Sequence, residues 1–275
     1  MTVDKTTPEL SLVIPCYNEE DSVASTVQRI VTEFHLHDAS LELILVDNGS
    51  TDSTGEIIDA MIDEGLPVRK VVVKVNQGYG LGALTGLKAC RGRWVGISCA
   101  DEQVEASDIY KLAALAAKVK SPKLFKVRRR FRLEGPFRNT ISFIYNLLTN
   151  ALFGGLGSMD LNGSPKLMPR AYAEAMNLQS KDWFLDPEIM IKAKKLELPV
   201  FEMNIFSLAR SDGASNVKPA TCWEFLVNLW SHRFGSKRHV FEGLSQPASW
   251  RSNPSGNAPD RIKARSVRAR GAKVG

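Results

Sequence analysis

The sequence predicts an α/β fold: a mainly parallel β-sheet with helices on both faces. Two observations carry this. Short apolar runs alternate with helical stretches through the first hundred residues, at a period of about 30. The runs Leu10–Cys16 and Leu41–Val46 are apolar at successive rather than alternate positions, as in strands buried on both faces.

The elements follow in order. Leu10–Cys16 is a buried strand. Asn18-Glu19-Glu20-Asp21-Ser22 places carboxylates where a helix start favours them, and a helix is expected over Ser22–Phe34. Leu41–Val46 is the second strand. Asp47-Asn48-Gly49-Ser50 is a turn into a helix over Ser50–Ile62, N-capped by Ser50 or Asp52. Val68–Lys74 is a third strand, and glycine-rich Asn76–Gly82 leads into a helix ending at Ala89. Trp94–Ser98 is the fourth strand, and a helix runs from Asp108 to about Val119. Further helices are expected at 141–152, Leu185–Leu196 and Cys222–Phe234, with a strand at Val200–Ser207.

The chain has 275 residues, 44% hydrophobic and 24% charged, which excludes wholesale disorder, a collagen-like repeat and a polytopic membrane protein. The net charge of +6 belongs to Gln246–Gly275, which holds seven bases and one acid; residues 1–245 are balanced. A basic tail on a neutral domain does not argue for nucleic acid, and no nucleic-acid partner is expected. The four cysteines form no C-x-x-C pair, and MTVDKTTPEL carries no secretory signal, so a reduced, cytoplasmic protein is expected. Two other stretches stand out. Lys118–Arg132 holds eight bases and no acid, and Asn139–Met159 holds no charge at all. The apolar stripe Ile141, Ile144, Tyr145, Leu148, Leu152 and the Trp-bearing helix Cys222–Phe234 either pack on the domain or lie at a membrane surface. His232 and His239 read as surface residues.

Ligands of parallel sheets bind at the carboxyl ends of the strands. Here those ends are Pro15–Glu20, Asp47–Ser50, Val75–Gly82 and Cys99–Gln103, all polar or glycine-rich. Four ordered segments, Pro15-Cys16-Tyr17-Asn18-Glu19-Glu20, Val46–Asp52, Asn76-Gln77-Gly78-Tyr79-Gly80 and Ala100-Asp101-Glu102-Gln103, resemble the successive signatures of family 2 glycosyltransferases. The resemblance covers residues 10–216, and is nearest the dolichyl-phosphate mannose synthase-like subgroup.

The resemblance implies a GT-A-type fold with a Rossmann-like nucleotide-sugar-binding half. The expected organisation is an N-terminal extension (1–9), a single domain (10–244, divided at 108 into donor and acceptor halves, ending in a helix) and a disordered basic tail (245–275). The implied activity is inverting transfer of a sugar from a UDP- or GDP-linked donor to a polyprenyl phosphate at the cytoplasmic membrane face. The alternatives are a sugar-hydroxyl or glycan acceptor, or a weakly active nucleotide-sugar-binding protein. Pro15, Tyr17, Asn18, Glu19, Asp47, Gln77, Gly78, Gly80, Ala100 and Asp101 match the donor site. Asp101 and Gln103 match the ligands of a Mg²⁺ or Mn²⁺ ion that neutralises the donor diphosphate. The family's first acid at this motif is replaced by Cys99, a poor ligand for hard cations. Asp160, before a small-residue turn, matches an acid near the reaction centre. Asp186 and Glu188 fall where an acid faces the acceptor and serve as candidate bases for a hydroxyl. A phosphate acceptor is already anionic and needs cations instead; Arg128, Arg130, Arg210 and Ser215 are the candidates, with Arg210 also placed in the catalytic set.

Overall fold

The computed structural model describes residues 7–132, 136–207 and 219–247, and within these the side chains outside 130–138 and 207–224. The first half runs β1 (Leu10–Cys16), α1 (Val23–Leu36), β2 (Leu41–Asp47), α2 (Thr54–Asp63), β3 (Val68–Val72), α3 (Tyr79–Ala89), β4 (Trp94–Ile97) and α4 (Ala106–Lys118). The second half runs β5 (Leu124–Arg132), α5 (Pro136–Phe153), β6 (Lys166–Pro169), α6 (Arg170–Met176), α7 (Leu185–Lys195), β7 (Val200–Ser207) and α8 (Pro219–Arg233), followed by a short 3₁₀ turn at Arg238–Phe241. The seven strands form one sheet in the order β3-β2-β1-β4-β6-β5-β7. Neighbours are parallel except around β6, which is antiparallel to both β4 and β5.

Successive residues of a strand face opposite sides, and β1 feeds two separate cores. Leu12 and Ile14 join Val27, Ile30, Ile58 and Leu112 under α1, α2 and α4. Val13 joins Ala83, Tyr172, Ile189 and Leu229 under α3, α6, α7 and α8. Helices therefore cover both faces, as expected.

The corrections are local. Helix α2 starts at Thr54, and its N-cap, Ser53, makes no side-chain cap bond; neither Ser50 nor Asp52 caps it. Asp47 accepts the Ser50 N–H at 3.0 Å, and Asp52 accepts both the Thr54 N–H (3.0 Å) and its hydroxyl (2.6 Å), which holds the turn outside the helix. Burial would raise the Asp52 carboxyl, but these bonds and the Glu20 N–H hold it below its usual range. Two strands were not expected, because both carry charge: β5 lies inside the basic run, and β6 begins at Lys166. Lys126 and Lys166 are cross-strand partners with almost no exposed surface. His232 is also no surface residue. It is buried, stacked on Phe184 at 3.9 Å, and desolvation lowers its pKa.

Helix α5 is inside out. Asn146 and Thr149 are buried, while Phe143, Ile144, Leu147 and Leu148 are exposed. The buried amides are satisfied: Asn146 donates to the Ser142 carbonyl at 2.6 Å and accepts the Leu161 N–H at 2.8 Å. Asn150 donates to the Ser158 carbonyl and accepts the Leu156 N–H. The polar face thus anchors the loop 156–161, and the expected stripe divides: Tyr145 and Leu152 pack on the domain core, while Ile144 and Leu148 face outward. On α8, Leu226, Val227 and Trp230 are likewise exposed, as is Phe234 just after it. Among the described residues no helix is long and apolar enough to cross a membrane. Most of the expected tail, from residue 248, lies outside the described residues, as do residues 1–6.

At the amino end of the sheet, nearly buried Glu42 accepts the Ser11 hydroxyl (2.5 Å), Arg69 (2.8 Å) and the Arg91 N–H (3.2 Å). Burial opposes its charge, but these donors outweigh burial and hold the carboxyl below its usual range. A depressed folded pKa gives stability that is present above the unfolded value and is lost as pH falls through the folded one. Glu42→Gln is expected to cost about 1–3 kcal/mol at neutral pH. In urea melts that deficit should shrink below about pH 4; an undiminished deficit at lower pH contradicts the assignment.

Candidate active site

The carboxyl ends of β1, β2 and β4 open, with loops of the second half, on one cleft of about 900 Å³. Pro15, Tyr17, Asn18, Glu19, Gly78, Ala100, Asp101 and Gln103 line it, as the sequence led us to expect. Its far wall comes from Arg129, Ile141, Ser142, Tyr145, Trp183, Asp186 and Phe225. The β1 turn is tied to the α2 turn by Glu19 N–H to the Thr54 hydroxyl (2.8 Å) and Thr51 N–H to Asn18 (2.9 Å).

Several expected residues stand elsewhere. Asp47 is half-buried and does not line the cleft; its neighbour Asn48 does. Asn48 is 2% exposed and donates to the Gly78 carbonyl at 3.1 Å, and its Oδ1 has no hydrogen-bond partner among the described residues. Gln77 is exposed and outside the cleft. Gly80 is small for a different reason from the one expected: a Cβ there would lie 2.3 Å from the Ser180 carbonyl oxygen. Helix α3 is pressed against the 180–182 backbone, and Leu81 N–H bonds the Lys181 carbonyl at 3.0 Å. Glycine is required because of this protein contact, whatever the ligand.

Glu188 is fully buried away from the cleft. It pairs with Lys192 at 2.5 Å and accepts the N–H groups of Gln179 and Ser180, so it fixes that loop and has no path to an acceptor. Burial pulls the Lys192 ammonium down, opposed by Glu188. Asp186 does line the cleft, paired at 2.5 Å with Lys166, which is 1% exposed.

Arg128 is exposed and outside the cleft, whereas Arg129 faces it. Strand alternation explains the switch from Arg128 to its neighbour, which stands on the opposite face of β5. Arg129 is held by buried Asp160, with Nε at 3.1 Å from Oδ2 and Nη2 at 2.8 Å from Oδ1. Its own N–H also bonds Asp160, at 2.9 Å. Lys126, from the same basic run, is fully buried against Glu202 (3.0 Å) and the Asp160 carbonyl (2.6 Å). Burial lowers its pKa to about 8, against the pull of Asp160 and Glu202. The side chain of Arg130, and Arg210 and Ser215 entirely, lie outside the described residues.

At the metal motif, Cys99 lines the cleft half-buried, and its thiol is pushed up to about 12 by burial and then by Asp101 and Asp186. Asp101 accepts the Gln103 N–H at 3.4 Å. Glu102 also lines the cleft and accepts the Ser25 hydroxyl, while Glu105 stands outside it, paired with Arg29. Among the described residues no three His, Cys, Asp or Glu side chains are grouped to hold a metal ion.

The cleft thus carries Asp101 at its β4 end and Asp186 with Arg129 on the opposite wall. Residues 11–174 match the family described as Glycosyl transferase family 2, more than half of the chain, and the chain belongs to that family. Dodecaprenyl-phosphate galacturonate synthase of Rhizobium johnstonii is 38% identical over 104 residues, 37% of this chain and 30% of that protein. Dolichyl-phosphate beta-glucosyltransferase of Dictyostelium discoideum is 25% identical over 213 residues, 71% of this chain and 65% of that protein. The chain thus spans between 30% and 65% of the length of these two curated relatives. Glucosyl-3-phosphoglycerate synthase from Mycobacterium tuberculosis, solved in complex with Mn²⁺, uridine-diphosphate and phosphoglyceric acid, shares the fold. Its TM-score is 0.67 at 20% identity, covering 83% of this chain and 80% of that one. The GT-A expectation holds.

Lys166→Met leaves Asp186 buried without its partner, and breaking such a pair costs about 3–5 kcal/mol. Urea denaturation of the variant is expected to show a loss of that size. Wild-type stability would mean that the pair is not formed.

Proposed function

We propose that the chain is an inverting glycosyltransferase that moves a sugar from a UDP- or GDP-linked donor to a polyprenyl phosphate, working at the cytoplasmic face of a membrane. The observation that carries this reading is the inside-out α5. Its outward face of Phe143, Ile144, Leu147 and Leu148 borders the cleft through Ile141 and Tyr145, so an apolar surface adjoins a polar reaction site. A lipid-linked phosphate needs that combination. The names of the curated relatives, which are polyprenyl-phosphate sugar transferases, support the same reading.

In this reading the nucleotide lies along Pro15–Glu19, Asn48 and Gly78. The donor set fits a cation that arrives with the diphosphate: one carboxylate, Asp101, with Gln103 beside it and a neutral thiol at Cys99. Mg²⁺ keeps several waters and uses few protein ligands. Asp101 and Gln103 would hold Mg²⁺ or Mn²⁺, which when bound neutralises the leaving diphosphate. Arg129, aimed by Asp160, attracts the acceptor phosphate and orients one oxygen at the anomeric carbon. That oxygen forms the new C–O bond as the bond to the donor β-phosphate breaks; the electron pair leaves with the nucleoside diphosphate, and the configuration inverts. Arg210 and Ser215 join the acceptor phosphate in the same reading.

Asp186 in the cleft favours a second reading, in which it serves as base for a sugar hydroxyl. Lys166 already holds one of its oxygens, which weighs against it.

The test is transfer from UDP-[¹⁴C]glucose and GDP-[¹⁴C]mannose with Mn²⁺ and undecaprenyl phosphate in mixed vesicles. Label is expected in the organic extract, and Arg129→Gln is expected to lower kcat/KM for the phosphate acceptor by about 100-fold while nucleotide binding persists. Label recovered only in a water-soluble glycan would reject the phosphate acceptor.

A further inference from the structure

We propose that the stacked pair Tyr79–Trp183 is the platform for the transferred sugar. Trp183 packs against the C–H face of a pyranose, and the Tyr79 hydroxyl bonds a sugar oxygen. This deepens, and rests on, the nucleotide-sugar reading above.

The two rings are parallel within 10°, with centroids 5.1 Å apart. Tyr79 covers one face of Trp183, yet Trp183 remains 40% exposed and lines the cleft. The pair also stands in the right place. The Tyr79 phenol is raised by burial and then by Asp186, Cys99 and Asp101, so it lies within electrostatic reach of both the diphosphate end and the acceptor end. The sugar must pass between those ends. A phenol kept protonated is a hydrogen-bond donor there.

The platform is rigid. Gly78 has φ +113°, and a Cβ on it would meet the Lys181 carbonyl oxygen at 2.6 Å. With Gly80 against Ser180 and Leu81 bonded to Lys181, the first turn of α3 cannot slide past the segment that carries Trp183. Neighbouring Phe184 donates its N–H to Asp182 at 2.9 Å, and Asp182 also accepts from Asn228 at 3.1 Å. Aromatic faces in ligand sites bind rings whose other contacts are few, directed hydrogen bonds, which describes a pyranose.

The test separates sugar from nucleotide. Calorimetric titration in Mn²⁺ compares UDP with UDP-glucose and GDP with GDP-mannose, on wild type, Trp183→Leu, Trp183→Phe and Tyr79→Phe. Trp183→Leu is expected to bind the nucleoside diphosphate within about twofold of wild type but its sugar ester about tenfold more weakly. Trp183→Phe should recover most of the loss. Tyr79→Phe keeps the stack and should weaken only the sugar ester, by a few-fold. Equal losses on both ligands would make Trp183 a nucleotide contact and overturn the proposal, as would unchanged affinities. If the wild type bound nucleoside diphosphate but no sugar ester of either panel, the donor reading itself would fall and the platform with it.

Discussion

Lys166 stands on the short antiparallel strand β6 with 1% of its surface exposed and its ammonium 2.5 Å from Asp186. Across β5 its partner is Lys126, which is in turn opposite Glu202 on β7. Two ammonium groups side by side inside a sheet are costly unless each is matched, because an unpaired buried charge destabilises by several kcal/mol. Glu202 and three oxygens of the Val127, Ser158 and Asp160 groups match the first; Asp186 matches the second. This row of charges fixes where β6 joins the two parallel halves of the sheet, and so where the cleft's two walls meet.

Two further constraints hang from it. The inward polar face of α5 grips the loop 156–161, that loop carries Asp160, and Asp160 aims Arg129 into the cleft. The outward face of the same helix is apolar, so the surface suited to lipid and the cation suited to phosphate are mechanically one unit. On the other side, Glu188 and Lys192 hold the 177–180 loop, whose continuation is pressed on the start of α3. The two walls of the cleft thus meet across backbone contacts between the start of α3 and residues 180–182.

Much of this was legible from residue order. Apolar runs such as Leu10–Cys16 mark buried parallel strands unaided, and the polar strand ends converge because parallel topology makes them converge. What escaped has a physical reason in each case. Strands β5 and β6 contain lysines and arginines, and a buried lysine cannot be told from an exposed one until its carboxylate, 20 residues away for Lys166 and 76 for Lys126, is brought alongside. Arg129 was passed over for Arg128 and Arg130 because strand phase is invisible in a run of identical charges. Glu188 looked like a second catalytic acid, but i,i+4 spacing to Lys192 was the available sign of a structural pair. The inside-out α5 was legible as amphipathic, but which face looks inward depends on the loop amides it satisfies.

The central claim is that the acceptor arrives already charged, because the cleft's acceptor end offers Arg129 and a carboxylate held by Lys166. The most direct test is the pH dependence of kcat/KM for transfer to undecaprenyl phosphate, compared with its C-phosphonate analogue, in which a methylene replaces the ester oxygen and both P–OH groups remain, the second ionising at higher pH. The account predicts a rising limb that follows the second ionisation of the acceptor, near pH 6 for a phosphate monoester, and that moves with the analogue. A limb that stays at one pH for both acceptors, and so belongs to a group of the protein acting as base, would contradict it.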